Sequence, residues 1–205
     1  TAENINLQST TAEYKSNATH GTILDRVAGI YLSNPNQGNV VLAANNNITL
    51  GGADIVNQST GATQLTAGNN INVGNITTRD YITNSNGRDY NYNTGAIRSN
   101  ISGNSDILLD SHTIRNAGDL SGHNVVLKSG TDIDTSGGSI TANKNLVLNA
   151  QGNVIANSTA KTIQIGKDGN NFYYQKTTID QPTVLQVIKN PNGATDGQLV
   201  INAGK

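Results

Sequence analysis

The residue types that most often carry out catalysis or bind metals are few in this chain and widely spaced. Its 205 residues contain no cysteine and three histidines, at His20, His112 and His123. His112 and His123 are eleven residues apart, and neither cysteine nor glutamate stands at a metal-ligand spacing from them. We therefore interpret the histidines as polar loop residues, and the sequence predicts no metal site and no cofactor.

Pairs of carboxylates could hydrolyse glycosides, but the chain offers few of them. Glutamate occurs only at Glu3 and Glu13, so a catalytic pair would have to consist of aspartates. Asp132 and Asp134 stand two residues apart in one predicted unit, beside the turn residues Gly130 and Thr131. We interpret them as a corner residue and a surface residue.

One segment carries charges that would suit a polysaccharide lyase or hydrolase, since such an enzyme needs acidic and basic groups that converge in a groove. The candidates are Arg79, Asp80, Arg88, Asp89 and Arg98. Ordinary loop charges that pair with one another explain the same residues and are the favoured interpretation. The chain is predicted not to be an enzyme, and a carbohydrate-active enzyme is the less favoured alternative.

Six of the eight aromatic residues cluster in two segments that lack the repeat described below. They are Tyr81, Tyr90, Tyr92, Phe172, Tyr173 and Tyr174. Aromatic side chains on loops that project from a rigid scaffold form a candidate binding surface. The alternative is that they shield the sides of the scaffold.

Composition excludes several classes of partner and location. The net charge is −1, so no basic surface predicts nucleic-acid binding. No run of 18 apolar residues occurs, so the sequence predicts no transmembrane segment. The chain contains no methionine, even at position 1, and we expect it to be a processed or excised piece that continues into a longer filament.

A repeat decides the predicted fold. Residues 42–48, 65–71, 127–133 and 148–154 share an aliphatic residue, a small residue, turn residues, then Asn or Asp before Ile or Val. The strands between the Asn and Gly corners are too short to be stable alone. When units stack, each strand can pair with the equivalent strand of the next unit. The expected stacks are Asn47, Asn70, Asp132 and Asn153 on one line, and Ile48, Ile71, Ile133 and Val154 beside them.

These units predict an all-β chain, a right-handed parallel β-helix of about seven to nine coils over residues 1–205. A β-sandwich with coincidental Asn-Gly turns is the alternative. Two loop or hairpin insertions are expected to leave the coil, at about 74–104 and 166–197, the second as two strands around Asp180–Pro182. Residues 22–32 are ambiguous between a short helix and a strand.

Three segments, at 24–32, 42–48 and 61–73, resemble the haemagglutinin repeat region of filamentous haemagglutinin-like exoproteins. The similarity is greatest to the second repeat region of CdiA-type effectors of contact-dependent growth inhibition, and residues 121–157 are similar too. The string Arg-Val-Ala-Gly-Ile-Tyr at 26–31 is fairly specific, whereas Ala-Gly-Asn-Asn-Ile at 67–71 is generic.

This resemblance implies a Gram-negative protein that two-partner secretion exports to the cell surface, where it forms a β-helical filament. It implies a part linked to the target cell's outer membrane and to toxin delivery, with an outer-membrane component of the target bacterium as partner. A host-cell or glycan-binding adhesin module, with a host-cell receptor or glycan as partner, is the alternative. The family has no catalytic residue in this region.

Overall fold

The computed structural model describes residues 2–83, 87, 89–167, 172–188 and 197–204. Within these ranges it leaves aside the side chains of residues 89–91, 164–167 and 172–174. The described residues form eighteen β-strands and no helix, so the predicted all-β class is confirmed. The strands are β1 Ala2–Gln8, β2 Thr10–Ser16, β3 Thr19–Arg26, β4 Gly29–Leu32, β5 Val40–Gly51, β6 Asp54–Asn57, β7 Thr63–Thr83, β8 Asp89–Arg98, β9 Asn100–Gly103, β10 Ile107–Asn116, β11 Asp119–Ser129, β12 Ile133–Asp134, β13 Ser139–Ala150, β14 Val154–Ile155, β15 Thr159–Lys167, β16 Phe172–Gln181, β17 Val184–Val187 and β18 Gln198–Ala203.

Most of these strands pair in parallel and stack in three columns, which we name faces A, B and C. Face A contains the first parts of β5, β7 and β10, the last parts of β11 and β13, and β18. Face B contains β1, the continuations of β5, β7 and β10, and then β12 and β14. Face C contains β4, β6, β9, the first parts of β11 and β13, and β17. The chain visits faces B, C and A in turn, as in a β-helix-like solenoid, and the described part makes six such coils.

The core lies inside the coils because every second residue of each strand points inward. On face A the inward column is leucine in five successive coils, and on faces B and C it is mostly isoleucine. These side chains are at most 5% exposed and include Leu42, Leu65, Leu109, Leu127, Leu148, Ile48, Ile71, Ile114, Ile133, Ile55, Ile101, Leu120 and Ile140. Aliphatic residues of similar size fill the narrow interior of the central coils.

In the part of the chain that the structure describes, three antiparallel hairpins leave the coil, each between face B and face C. The first is β2 with β3, the second is the end of β7 with β8, and the third is β15 with β16. Strand β3 also pairs with the end of β7, so the first two hairpins make one four-stranded sheet in the order β2-β3-β7-β8. We call this the hairpin sheet. The third hairpin lies against it, and Lys161 Nζ donates to the Thr94 carbonyl of β8.

Two glycines allow the hairpin bases to lie on the coil below them. Gly52 and Gly137 have positive φ angles of 60° and 74° at the same corner of their coils. A Cβ atom at Gly52 would lie 2.9 Å from Ile76 Cγ1, at the base of the second hairpin. One at Gly137 would lie 2.9 Å from Thr159 Cγ2, at the base of the third. Both positions therefore need glycine for its conformation and for its lack of a side chain.

The structure differs from the expected insertions at two points. The second hairpin ends at Arg98, and β9, which lies within the predicted insertion 74–104, has already returned to face C. Two strands flank Asp180–Pro182 as predicted, but the expectation that both leave the coil is wrong, because β16 pairs with β15 whereas β17 pairs in parallel with β13 of the coil. Leu185 of β17 packs against the core beside Ile140, and this apolar burial favours the coil over a hairpin.

The first hairpin was not anticipated from the sequence. Residues 22–32, which were ambiguous between helix and strand, belong to the two strands β3 and β4. The coil count is six in the described part rather than seven to nine, because three hairpins take up chain length that the prediction assigned to coils.

Candidate functional site

The structure places part of the predicted aromatic surface on the hairpin sheet. Tyr81 lies on the outer part of β7 and Tyr92 on β8. The other members of the predicted surface are Tyr90, Phe172, Tyr173 and Tyr174. The backbone of Tyr90 belongs to β8, and the backbones of the other three belong to β16. Their side chains lie outside the described residues.

A stacked pair of rings forms the centre of the sheet. His20 of β3 lies directly opposite Tyr81 of β7, and the two ring centroids are 5.2 Å apart with 12° between the ring planes. Nδ1 of His20 lies 3.5 Å from the Thr83 hydroxyl oxygen. Sequence reasoning missed His20 as a member of this surface, because it is 61 residues from Tyr81 and belongs to another insertion.

On the opposite face of the same strands, a hydrogen-bonded group ties the two hairpins together. The Tyr14 phenol donates to Asp80 Oδ1 at 2.9 Å, and Asn93 Nδ2 donates to Asp80 Oδ2 at 2.7 Å. Both carboxylate oxygens of Asp80 are therefore occupied. The hydrogen bond to Asp80 is the largest cause that raises the pKa of Tyr14 well above its usual range, and desolvation by burial and the neighbouring Tyr92 phenol raise it further.

An open groove of about 670 Å³ follows the face that carries the ring pair. Its lining combines rings, hydroxyl groups and one charge of each sign, from Glu13, Lys15, His20, Thr22, Tyr81 and Thr83. Flat aromatic rings beside short hydrogen-bonding groups suit a polar ligand that also has an apolar face, as a sugar ring has. The groove offers binding groups and is too open to exclude water from a reaction.

Two of the charged residues considered for catalysis, Asp80 and Arg98, lie far apart. Asp80 is held by the first two hairpins, whereas Arg98 lies at the base of the second hairpin, opposite Asn75. That register separates Asp80 from Arg98 by five strand positions, roughly 17 Å. The side chains of Arg88 and Asp89 lie outside the described residues.

Arg98 joins the coil to two hairpins. Its side chain is 16% exposed, and Nη2 lies 2.8 Å from Asp119 Oδ1 and donates to the Gly118 carbonyl at 2.9 Å. Nη1 donates to the side-chain oxygen of Gln181, at the end of the third hairpin. Arg98 is therefore an anchor of the hairpins on the coil.

The predicted stacks lie along the corner between faces A and B. Asn47 Nδ2 donates to Asn4 Oδ1 at 3.0 Å, and Asn70 Nδ2 donates to Asn47 Oδ1 at 2.8 Å. Thr113 follows Asn70 in register and interrupts the amide ladder, since its hydroxyl bonds to Thr131 instead. The ladder of side chains resumes where Asn153 Nδ2 donates to Asp132 Oδ1 at 3.2 Å.

The aliphatic stack beside this ladder is continuous. Ile48 pairs with Ile71, and Ile133 pairs with Val154. Ile114, which the repeat search did not detect, lies between Ile71 and Ile133 and joins the two pairs into one column. Asp134 points out of this column, and its Oδ1 accepts the backbone N–H of Ser136.

The described ranges contain no cluster of metal ligands and no membrane-spanning helix. No group of three or more His, Asp or Glu side chains there could hold a metal ion. Within those ranges, no helix has the length and apolar character needed to cross a membrane.

No protein-family model, curated protein or solved structure matches this chain.

Proposed function

We propose that this chain is a rigid rod segment of a secreted surface filament, and that its hairpin sheet contacts a target cell. The filament would be of the haemagglutinin-repeat kind, exported by two-partner secretion to the surface of a Gram-negative bacterium. In this proposal the segment resembles the part of contact-dependent growth inhibition effectors that is linked to the target outer membrane and toxin delivery. No catalytic step is assigned to it.

The observation that carries the proposal is the placement of the three hairpins at one corner of the coil. The coil itself is a regular stack whose inward residues are aliphatic and whose corners are linked by side-chain ladders. In the described part of the chain, the hairpins interrupt this regularity at the corner between faces B and C, where they gather Tyr14, His20 and Tyr81. A stiff scaffold with one elaborated side suits projection and contact.

We also propose that the coils are right-handed. The connection from one parallel strand to the next in the same sheet is almost always right-handed, because of the strand twist. A crystal structure in which the coils wind to the left would contradict this part of the proposal.

The first experiment measures binding of the labelled chain to intact Gram-negative cells, with eukaryotic cells alongside. Saturable binding to bacteria is expected, and binding to eukaryotic cells alone would favour the host-cell or glycan-binding adhesin instead. Absence of binding to both would contradict a contact role for the hairpin sheet.

Single substitutions locate the contact. His20→Ala and Tyr81→Ala remove the stacked pair and should weaken binding by about tenfold or more, as loss of a central aromatic anchor does. Tyr31→Ala is the matched control, because Tyr31 is 58% exposed but lies on face C. Tyr90→Ala and Tyr174→Ala extend the test to the predicted aromatic residues whose side chains are outside the described part.

The groove on the hairpin sheet gives the glycan-binding alternative a specific basis, because its rings and hydroxyl groups suit a sugar. A glycan array with the wild-type chain and Tyr81→Ala would separate this alternative from a protein receptor. An assay for new reducing ends or unsaturated uronates would expose the carbohydrate-active enzyme.

A further inference from the structure

The strands of face A carry an aliphatic residue where a polar one is expected. In a strand with one buried side, polar residues normally alternate with the buried aliphatic ones. Five strands of face A instead have three aliphatic residues in succession. The triplets are Val40–Leu42, Ile107–Leu109, Val125–Leu127, Leu146–Leu148 and Leu199–Ile201.

The middle residue of each triplet points away from the core. Val41 is 62% exposed, whereas Val40 and Leu42 on either side of it are only 6% and 5% exposed. The middle residues in the later coils are half-buried, because their neighbours in adjacent coils cover their flanks. They are Leu108, Val126, Val147 and Val200.

The register of face A brings these residues into one line. Val41 and Leu108 both pair with Gln64, and from Leu108 onward each middle residue pairs with the next. The result is an outer aliphatic column interrupted once, by Gln64, and roughly 24 Å long at the usual strand spacing. We call this column the apolar stripe.

The other two faces show that the fold does not require such a stripe. The equivalent outer column of face B consists of Asn6, Thr49, Asn72, Arg115, Asp134 and Ile155. That of face C consists of Tyr31, Val56, Ser102, Ser121, Thr141 and Gln186. Both columns are mainly polar, so the aliphatic residues of face A indicate an interaction surface.

Two opposite charges flank the stripe at its centre. Asp110 and Lys128 occupy adjacent coils in the neighbouring outer column, and Lys128 Nζ lies 3.4 Å from Asp110 Oδ2. Both side chains are exposed, by 39% for Asp110 and 61% for Lys128. On the other side of the stripe, Asp106 and Asn124 occupy the same two coils, and Asn124 Nδ2 donates to Asp106 Oδ1.

We infer that the apolar stripe docks onto the stripe of a second copy of this chain, with the two rods side by side and antiparallel. A two-fold axis along the strand direction, between β10 and β11, exchanges the third and fourth of the six coils. Leu108 then faces Val126 of the second copy, and Asp110 faces Lys128 of the second copy. The charges are thus self-complementary, as a two-fold interface requires.

Parallel rods would lack this complementarity. A two-fold axis along the rod would place each coil opposite the same coil of the second copy. It would also place residues on one side of the stripe opposite residues on the other side of the second copy's stripe. Asp110 would then face Asp106 of the second copy, and two like charges would approach each other. Charge therefore selects the antiparallel arrangement.

The area of face A around the apolar stripe predicts a weak dimer. Six coils and five residues per strand give a contact of roughly 29 Å by 17 Å, or about 490 Å² per copy. The total of about 980 Å² lies at the lower end for specific interfaces, where complexes are weak or transient. We expect a dissociation constant above about 10 μM.

Sedimentation velocity on the whole chain from about 10 μM to about 1 mM tests the dimer, since this range brackets a weak interface. A concentration-dependent dimer is expected. Val126→Lys should weaken it at least tenfold by placing a charge at the centre of the contact. Ser121→Lys is the matched control, because it adds the same charge to the outer column of face C and should leave the dimer unchanged.

A charge exchange tests the orientation. Lys128→Asp alone should weaken the dimer at least fivefold, and Asp110→Lys together with Lys128→Asp should restore it to within about twofold. Circular dichroism and the melting temperature verify that each variant folds. A monomer throughout the concentration range, or a dimer that Val126→Lys leaves intact, would overturn the inference.

Cross-linking gives an independent readout, because the natural chain has no cysteine. In the antiparallel arrangement Ala43 faces Asn202 of the second copy. A bifunctional maleimide that spans about 10 Å, the usual distance between packed sheets, should therefore link Ala43→Cys to Asn202→Cys much faster than it links two copies of Ala43→Cys. Equal rates, or faster formation of the Ala43→Cys homodimer, would exclude the antiparallel pairing.

Discussion

Truncation of an inward isoleucine should cost far more stability inside the coil than at its end. Ile71→Ala removes a side chain that is 0% exposed and packs between Ile48 and Ile114. The loss combines the transfer free energy of the removed carbon atoms with the cost of a closed cavity. We expect the free energy of unfolding to fall by about 4 kcal/mol, within the range for buried Ile→Ala changes.

Ile201→Ala makes the same substitution at the end of the coil, and its loss of stability is compared with that of Ile71→Ala. Ile201 points inward on β18 beside Leu148 but is 49% exposed, because no described strand lies beyond β18. About half of the usual 1.5–3 kcal/mol for burying such a side chain is therefore at stake, and no closed cavity can form. We expect a loss of about 1 kcal/mol, roughly a quarter of that for Ile71→Ala.

Urea unfolding followed by far-ultraviolet circular dichroism measures both changes, with tyrosine fluorescence as a second probe. Coincident transitions from the two probes are needed before free energies are compared, since stacked repeats can unfold in parts. Equal losses for the two variants would refute the reasoning, because they would mean that the end coil is as well covered as the centre.

Three further perturbations test the corners and the hairpins. Arg98→Ala should lower the free energy of unfolding by about 1–2 kcal/mol, since it removes the hydrogen bonds of a largely buried guanidinium, while water can solvate Asp119, which is 44% exposed; calorimetry would measure this. Gly52→Ala should cost more than Gly87→Ala in the same assay, because both have positive φ but only Gly52 has close neighbours. Asp80→Asn should lower the pKa of Tyr14 towards its usual value in an ultraviolet titration, because the carboxylate acceptor is lost.

Each of these has a contrary outcome. An Arg98→Ala chain as stable as the wild type would mean that the ion pair contributes little. Equal costs at the two glycines would mean that the hairpin base is free to shift. For Tyr14 the raised pKa stabilises the folded chain below the ordinary phenol range of about 10, and this stability is lost as pH rises above it. Identical alkaline unfolding of the wild type and Asp80→Asn would contradict that linkage.

Much of the coil was predictable because each coil repeats the same physical requirements. An aliphatic residue is needed inside each face, and a small residue with Asn or Gly is needed at each corner. The repeats at 42–48 and 65–71 therefore align in the structure as they do in the sequence. Ile114 escaped detection because Thr113 replaces the Asn or Asp that marked the other copies.

The hairpins were less predictable, because their strands alternate like coil strands and carry no repeat. The strands of the first hairpin, β2 and β3, resemble ordinary edge strands, and nothing local distinguishes them from a coil. Similarly, β17 was assigned to a hairpin because it follows Pro182, although its aliphatic residues belong to the core. Each strand pairs with the strand that lets it bury its apolar residues, and that partner can be distant in the chain. The residues of the strand itself therefore do not reveal its partner.

By itself, the sequence determined the all-β class, the stacking of Asn and Ile columns, and the absence of cysteine chemistry. These follow from composition and from a short period, and both can be read along the chain. Only the tertiary structure decided that His20 meets Tyr81, that Arg98 joins the coil to the third hairpin, and that five aliphatic residues align on the outside of face A. The physical reason is that insertions of different lengths separate residues that lie together, so their contacts depend on strand register between coils rather than on spacing in the chain.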